Sequence, residues 1–218
     1  MATKKFSKGE AIRFGWNTMK ANFWFFVGLF MFTFVLYLAL GFVEKLAENA
    51  SPLFAFFINL AALPVQLFIG IGVIRITLKF CDNEKGGFSD LFSGFPFFLK
   101  YLGGSIVYGL IVLLGMLLLI VPGVIWAIKY QFFGYLIIDQ GLGPIAAIKK
   151  SAAITKGSKW DLCTFGLLLG CVNLLGILCL LVGFLATAPA TMLAAAYVYR
   201  KLLAAQDTAQ GAPAAPTG

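Results

Sequence analysis

Residues 23–43 read FWFFVGLFMFTFVLYLALGFV, 21 positions without a charged side chain. At a rise of about 1.5 Å per residue this run makes a helix of about 30 Å, the thickness of the hydrocarbon core of a bilayer. It is a membrane span, and the rest of the chain is read outward from it.

Five further apolar stretches follow, at residues 53–79, 101–121, 124–138, 160–182 and 184–202. The third and fourth spans are divided at Val121-Pro122-Gly123; the fourth span is short and the second long. The expected fold class is all-α, a polytopic helical membrane protein with about six transmembrane helices forming three hairpins. Of the 17 Lys and Arg residues, 15 fall in alternate gaps: Lys4, Lys5, Lys8, Arg13 and Lys20; Arg75, Lys79, Lys85 and Lys100; Lys149, Lys150, Lys156 and Lys159; Arg200 and Lys201. The opposite side holds only Lys45, beside Glu44 and Glu48, and two connections near Pro122 and Gly183 that carry no charge. Basic residues are retained on the cytoplasmic side, so both termini are expected there. The net charge of +8 is then a topology signal and a source of affinity for anionic phospholipid head groups, and calls for no nucleic-acid partner.

With 61% hydrophobic residues, residues 1–203 form one integral membrane domain with no room for a second globular unit. The basic start precedes an apolar run too long for a signal peptide, so that run is expected to be a retained span. Residues 204–218 contain Ala, Pro, Gly, Gln and Thr with one Asp, which predicts a disordered cytoplasmic tail. Cys163, Cys171 and Cys179 are spaced eight residues apart, about 12 Å along a helix, too far for a disulfide within it. With no His in the chain, neither a metal site nor a cofactor is expected, and the cysteines are taken as packing residues.

An internal repeat points to the structural unit. Ala11-Ile12-Arg13 leading to Lys20-Ala21-Asn22-Phe23-Trp24 recurs as Ala147-Ile148-Lys149 leading to Lys156-Gly157-Ser158-Lys159-Trp160, so residues 11–24 pair with 147–160. In the first copy Ile12, Trp16, Met19 and Phe23 share one face and Arg13, Asn17 and Lys20 another, the pattern of an amphipathic helix in the head-group region. The second copy opens at Gly143-Pro144 and sets Ile145, Ile148 and Ala152 against Lys149 and Lys156. Residues 88–98 hold the same place before the third span, where Ser89 or Asp90 is expected to cap a short helix whose Leu91, Phe92 and Phe95 face lipid. Each hairpin is thus preceded by a cytoplasmic interfacial amphipathic helix.

Ile120-Val121-Pro122-Gly123, then Lys129, Tyr135 and Asp139, then Ala147-Ile148-Lys149-Lys150-Ser151 and Thr155-Lys156-Gly157 ahead of Trp160 resemble the glycerophosphoryl diester phosphodiesterase membrane-domain family and related bacterial inner-membrane proteins. Thr187-Ala188-Pro189 followed by Ala196-Tyr197-Val198-Tyr199-Arg200 looks like that family too. The resemblance is strongest over residues 85–202. It implies a multi-pass protein of the bacterial inner (plasma) membrane. The phosphodiesterase chemistry of the family's fused catalytic domain relies on His and an acidic metal site, and a chain without His is not expected to perform it.

The residues themselves also argue against an enzyme, because the nine acidic side chains lie in gaps, at span ends or in the tail and no nucleophile sits in a recognisable motif. Lys129 stands apart. It falls near mid-depth of a span, where a charge costs about 2.5–3.5 kcal/mol on insertion scales. Either it meets a lipid phosphate or joins a polar cavity with Gln131 and Asn59 or Asn173, or it donates to freed carbonyls or snorkels to water. Arg13, Lys20, Lys149 and Lys156 on the interfacial helices are the other candidate lipid ligands. Two functions remain open: a non-enzymatic component that organises lipid or scaffolds a partner protein or a second copy of itself, and a small transporter or lipid-translocating protein with Lys129 in its path. Scarce intramembrane polarity favours the first.

Overall fold

A computed structural model describes residues 6–179 and 182–211. Among them the order is α1 (Lys8–Ala21), α2 (Phe23–Ala50), α3 (Pro52–Cys81), α4 (Ser89–Phe92), a 3-10 turn (Phe95–Phe97), α5 (Phe98–Leu118), α6 (Ile120–Tyr130), α7 (Phe133–Gln140), α8 (Pro144–Ile154), α9 (Lys159–Leu178) and α10 (Val182–Gly211). Five stretches of the described residues are long and apolar enough to cross a membrane: Phe23–Ala50, Pro52–Cys81, Ser89–Leu118, Ile120–Gln140 and Lys159–Leu178. The chain is a multi-pass membrane protein. The sixth expected span lies in α10, which is outside that group of five. Its middle is small and enclosed, with Ala188, Ala190, Ala194 and Ala196 buried against other helices.

Consecutive long helices pack on one another: α2 on α3, α5 on α6, and α9 on α10. Pro64 and Pro189 lie within continuous helices. Pro122 does not divide two spans. The chain turns earlier, at the extended residue Leu119, and Pro122 falls in the first turn of α6, where its missing N–H has no helical partner to lose. The expected fourth span is itself interrupted, since α6 ends at Tyr130 and α7 begins at Phe133.

Both repeat copies pack differently from their expected lipid-facing poses. In α1 the buried residues are Ala11, Gly15 and Met19, one face pressed on α10, while Trp16 is exposed. A side chain at Gly15 would collide with the carbonyl oxygen of Ala190 and stand 3.0 Å from the amide of Ala194, so glycine is what lets the two helix backbones touch. In α8 the equivalent positions Ala147, Ser151 and Thr155 are again buried, and Ile145 is exposed. The match continues into the following helices, with Phe26 and Leu29 buried like Leu162 and Phe165. The repeat is therefore a packing unit, with buried residues at i, i+4 and i+8.

The middle segment departs further. Leu91 is buried, its backbone lying against Gly72 of α3, while Phe92 and Phe95 are exposed. Asp90 does not cap α4; its carboxylate accepts from the Gly87 amide at 2.8 Å and pairs with Lys79 at 2.6 Å. The expected disordered tail begins inside α10, which runs to Gly211; residues 212–218 lie outside the described set.

Candidate functional site

Lys129 is half-buried at the end of α6, with its ammonium 4.8 Å from the centre of the Tyr130 ring. Gln131 is exposed in the short break after it. Asn59 bonds back to the Ala55 carbonyl of its own helix at 2.9 Å, and Asn173 pairs with Thr191 of α10 at 3.1 Å. The polar cavity expected from these four residues is not assembled. Arg13, Lys20, Lys149 and Lys156 are exposed on their helices or just beyond, with Lys20 over the Trp16 ring.

What surrounds Lys129 is a backbone repair. The chain breaks its helical ladder at Gln131 and Phe132, and α8 supplies the missing partners. Ser151 Oγ accepts from the Phe132 amide at 3.2 Å and donates to the Lys129 carbonyl at 3.1 Å. The Thr155 hydroxyl stands 3.0 Å from the same carbonyl. Polar backbone inside a membrane domain is tolerated only when satisfied in this way. Ser151 and Thr155 were visible in the sequence only as residues of the resemblance; their i, i+4 spacing beside the buried Ala147 was the available signal.

A second polar cluster joins the ends of α3 and α7 to the body of α10. Asp139 Oδ2 accepts from the Tyr199 hydroxyl at 2.7 Å and from Arg200 Nη1 at 2.7 Å, while Arg200 Nη2 reaches Asp82. Tyr199 is fully buried and stacks on Tyr135, ring centres 5.2 Å apart. Farther round the same end Lys8 pairs with Asp161 at 3.0 Å. These contacts join helices to one another and read as structural, with Arg200 Nε left buried and without a partner among the described residues. Among the described residues no three of His, Cys, Asp and Glu gather as metal ligands.

The arrangement best suited to a ligand is a groove of about 360 Å³ between α6 and α9. Ile120, Val124 and Ile128 form one wall, and Lys159, Trp160 and Cys163 the other. Residues 120 to 128 span about 12 Å of helix, so the groove is an apolar trough with a cation at one end. Lys159 makes no ion pair among the described residues, and Trp160 is 85% exposed. The sequence placed Lys159 in a basic gap without marking it as a ligand. Its adjacency to Trp160 at the start of a span, the pairing of a cation with an interfacial aromatic ring, was the sign. No protein-family model, curated protein or solved structure matches this chain.

Proposed function

We propose that this chain is a non-enzymatic multi-pass protein of the bacterial inner membrane, with both termini cytoplasmic, that organises the bilayer by holding anionic phospholipid at its basic end. In this reading its spans form three hairpins, each behind an interfacial helix, and about six helices cross the membrane. The observation that carries it is the groove between α6 and α9, whose Ile120, Val124 and Ile128 offer a wall for an acyl chain and whose Lys159 offers a cation for the phosphate. Trp160 at the same level gives the glycerol region an amphipathic ring to pack on.

The resemblance to the phosphodiesterase membrane-domain family fits the same proposal. The residues that carry it, Asp139, Ser151, Thr155, Tyr199 and Arg200, are those that tie α6, α7, α8 and α10 together, so a shared membrane scaffold accounts for them without catalysis.

Native mass spectrometry of the gently extracted full chain tests the proposal. Wild type is expected to retain phosphatidylglycerol, Lys159→Gln to lose it, and Lys129→Met to keep it while remaining folded. Equal retention by wild type and Lys159→Gln would overturn the reading.

A further inference from the structure

A second and larger cavity, of about 510 Å³, lies between α2, α3, α5, α7 and α10 and shares no lining residue with the groove. It is independent of the phospholipid groove in position and in chemistry. Its volume falls within the roughly 300–1,000 Å³ of small-molecule sites. Along α2 it extends from Leu29 to Tyr37 and along α3 from Ile69 to Thr77, nine residues each, so it is elongated over about 12 Å. Leu29 and Thr77 are buried, whereas Phe34 and Tyr37 are exposed. The mouth is therefore at Phe34, about half-way along α2, at a depth where only hydrocarbon borders the protein.

Among the described residues no charged side chain lines this cavity. An ionised group drawn inside would lose its hydration with nothing to compensate it. The walls are not wholly apolar, however. The hydroxyls of Tyr101 and Tyr135 have no hydrogen-bond partner among the described residues, unlike those of Thr33 and Thr77, which donate to carbonyls of their own helices at 2.8 Å. A tyrosine hydroxyl in such surroundings normally finds a partner.

We infer that this cavity binds a neutral, elongated lipid that enters sideways from the bilayer and carries a carbonyl or hydroxyl group at its inner end. The chain lies between α2 and α3, and the polar end accepts from Tyr101 and Tyr135. Anionic phospholipid is excluded by its head group.

Gly70 gives a test that leaves the backbone undisturbed. It lies on the cavity wall, and the nearest atom to a side chain added there is the Tyr101 hydroxyl oxygen, at 3.8 Å. The Cβ of Gly70→Leu therefore meets only an ordinary contact, its longer side chain takes up cavity space, and the substitution favours the helix. The full chain would be reconstituted in vesicles of phosphatidylethanolamine and phosphatidylglycerol and exposed to a photoactivatable long-chain fatty alcohol, with the labelled residues mapped by mass spectrometry. A matched probe lacking the hydroxyl and a photoactivatable phosphatidylglycerol serve as comparisons.

The alcohol is expected to label α2 and α3 in wild type and to lose at least tenfold in Gly70→Leu. In Tyr101→Phe/Tyr135→Phe its binding falls about threefold to tenfold, with the hydroxyl-free probe unchanged. Equal labelling of wild type and Gly70→Leu by the alcohol, or preferential labelling of the cavity by phosphatidylglycerol, would overturn the inference. Phospholipid retention by Lys159→Gln is read separately on the same vesicles, so failure at one site is distinguishable from failure at the other.

Discussion

The two ends of this molecule are held together in different ways. At the basic end, large side chains and polar contacts from distant parts of the chain share one core: Leu136, Ile137, Ile154 and Tyr199 have no exposure, and Arg200 joins Asp82 to Asp139. At the far end the helices meet in sequence neighbours and touch through their smallest residues. Ala47 and Ala55 are the buried residues flanking the turn at Ser51, Gly115 lies against Gly123, and Gly176 against Gly183. Around them Phe42, Leu53, Phe56 and Phe57 are exposed. Lipid tails solvate such side chains as well as another helix does, so burying them yields little and only close backbone approach earns contact. Where the protein leaves hydrocarbon, polar side chains become partners instead.

The same contrast explains why the two repeat copies are buried. Each packs closely on another helix: α8 satisfies the α6–α7 break, and α1 presses Gly15 against the backbone of α10 one residue beyond Pro189. An interfacial helix that only floated among head groups would bury neither Ser151 nor Gly15.

The most severe break of the basic end is Asp139→Leu, which leaves Arg200 with Asp82 alone and takes the acceptor from the buried Tyr199 hydroxyl. It should lower stability by about 3 kcal/mol, measured as the unfolding midpoint in mixed micelles; no change would mean that the cluster is ornamental. At the far end Gly115→Leu forces a side chain onto Gly123 and the Trp126 ring, with an expected cost of about 2 kcal/mol and a spreading of α5 from α6 that spin-label distances would record. Ser151→Ala removes the acceptor of the Phe132 amide, and hydrogen exchange at that amide should accelerate about fivefold, in keeping with a loss of about 1 kcal/mol. For Asn173→Leu the loss of the Thr191 contact is expected to cost about 0.6 kcal/mol by a double-mutant cycle with Thr191→Val. Phe56→Ala sharpens the comparison from the other side: a change beyond about 0.5 kcal/mol would show that the far end is packed against protein and not lipid.

Several features of this contrast were legible in advance. The apolar runs, the side carrying the charge and the repeat all appear in the residues, and the helix start at Pro144 follows from proline's place in a first turn. The orientation of the interfacial helices was less so, because an amphipathic pattern does not distinguish a lipid-facing stripe from one facing another helix. Ile12, Trp16 and Met19 read as one stripe facing the head-group region, yet the close approach allowed by Gly15 turns Met19 inward with Ala11 and leaves Trp16 exposed. Lys129 stood out because of the cost of a charge at its depth, but its carbonyl proved more revealing than its ammonium: the break that frees it is two residues away and its partners are on α8.

The sequence by itself determined that this is a helical, multi-pass membrane chain with charge gathered at alternate gaps, because transfer into hydrocarbon and retention of basic loops depend on composition over about 20 adjacent residues. Only the tertiary structure decided which polar groups meet and where space remains. Arg200 lies 61 residues from Asp139 and 118 from Asp82. The walls of the neutral cavity come from five helices, and no local pattern encodes the gap that distant helices leave when small residues bring some backbones together and large ones hold others apart.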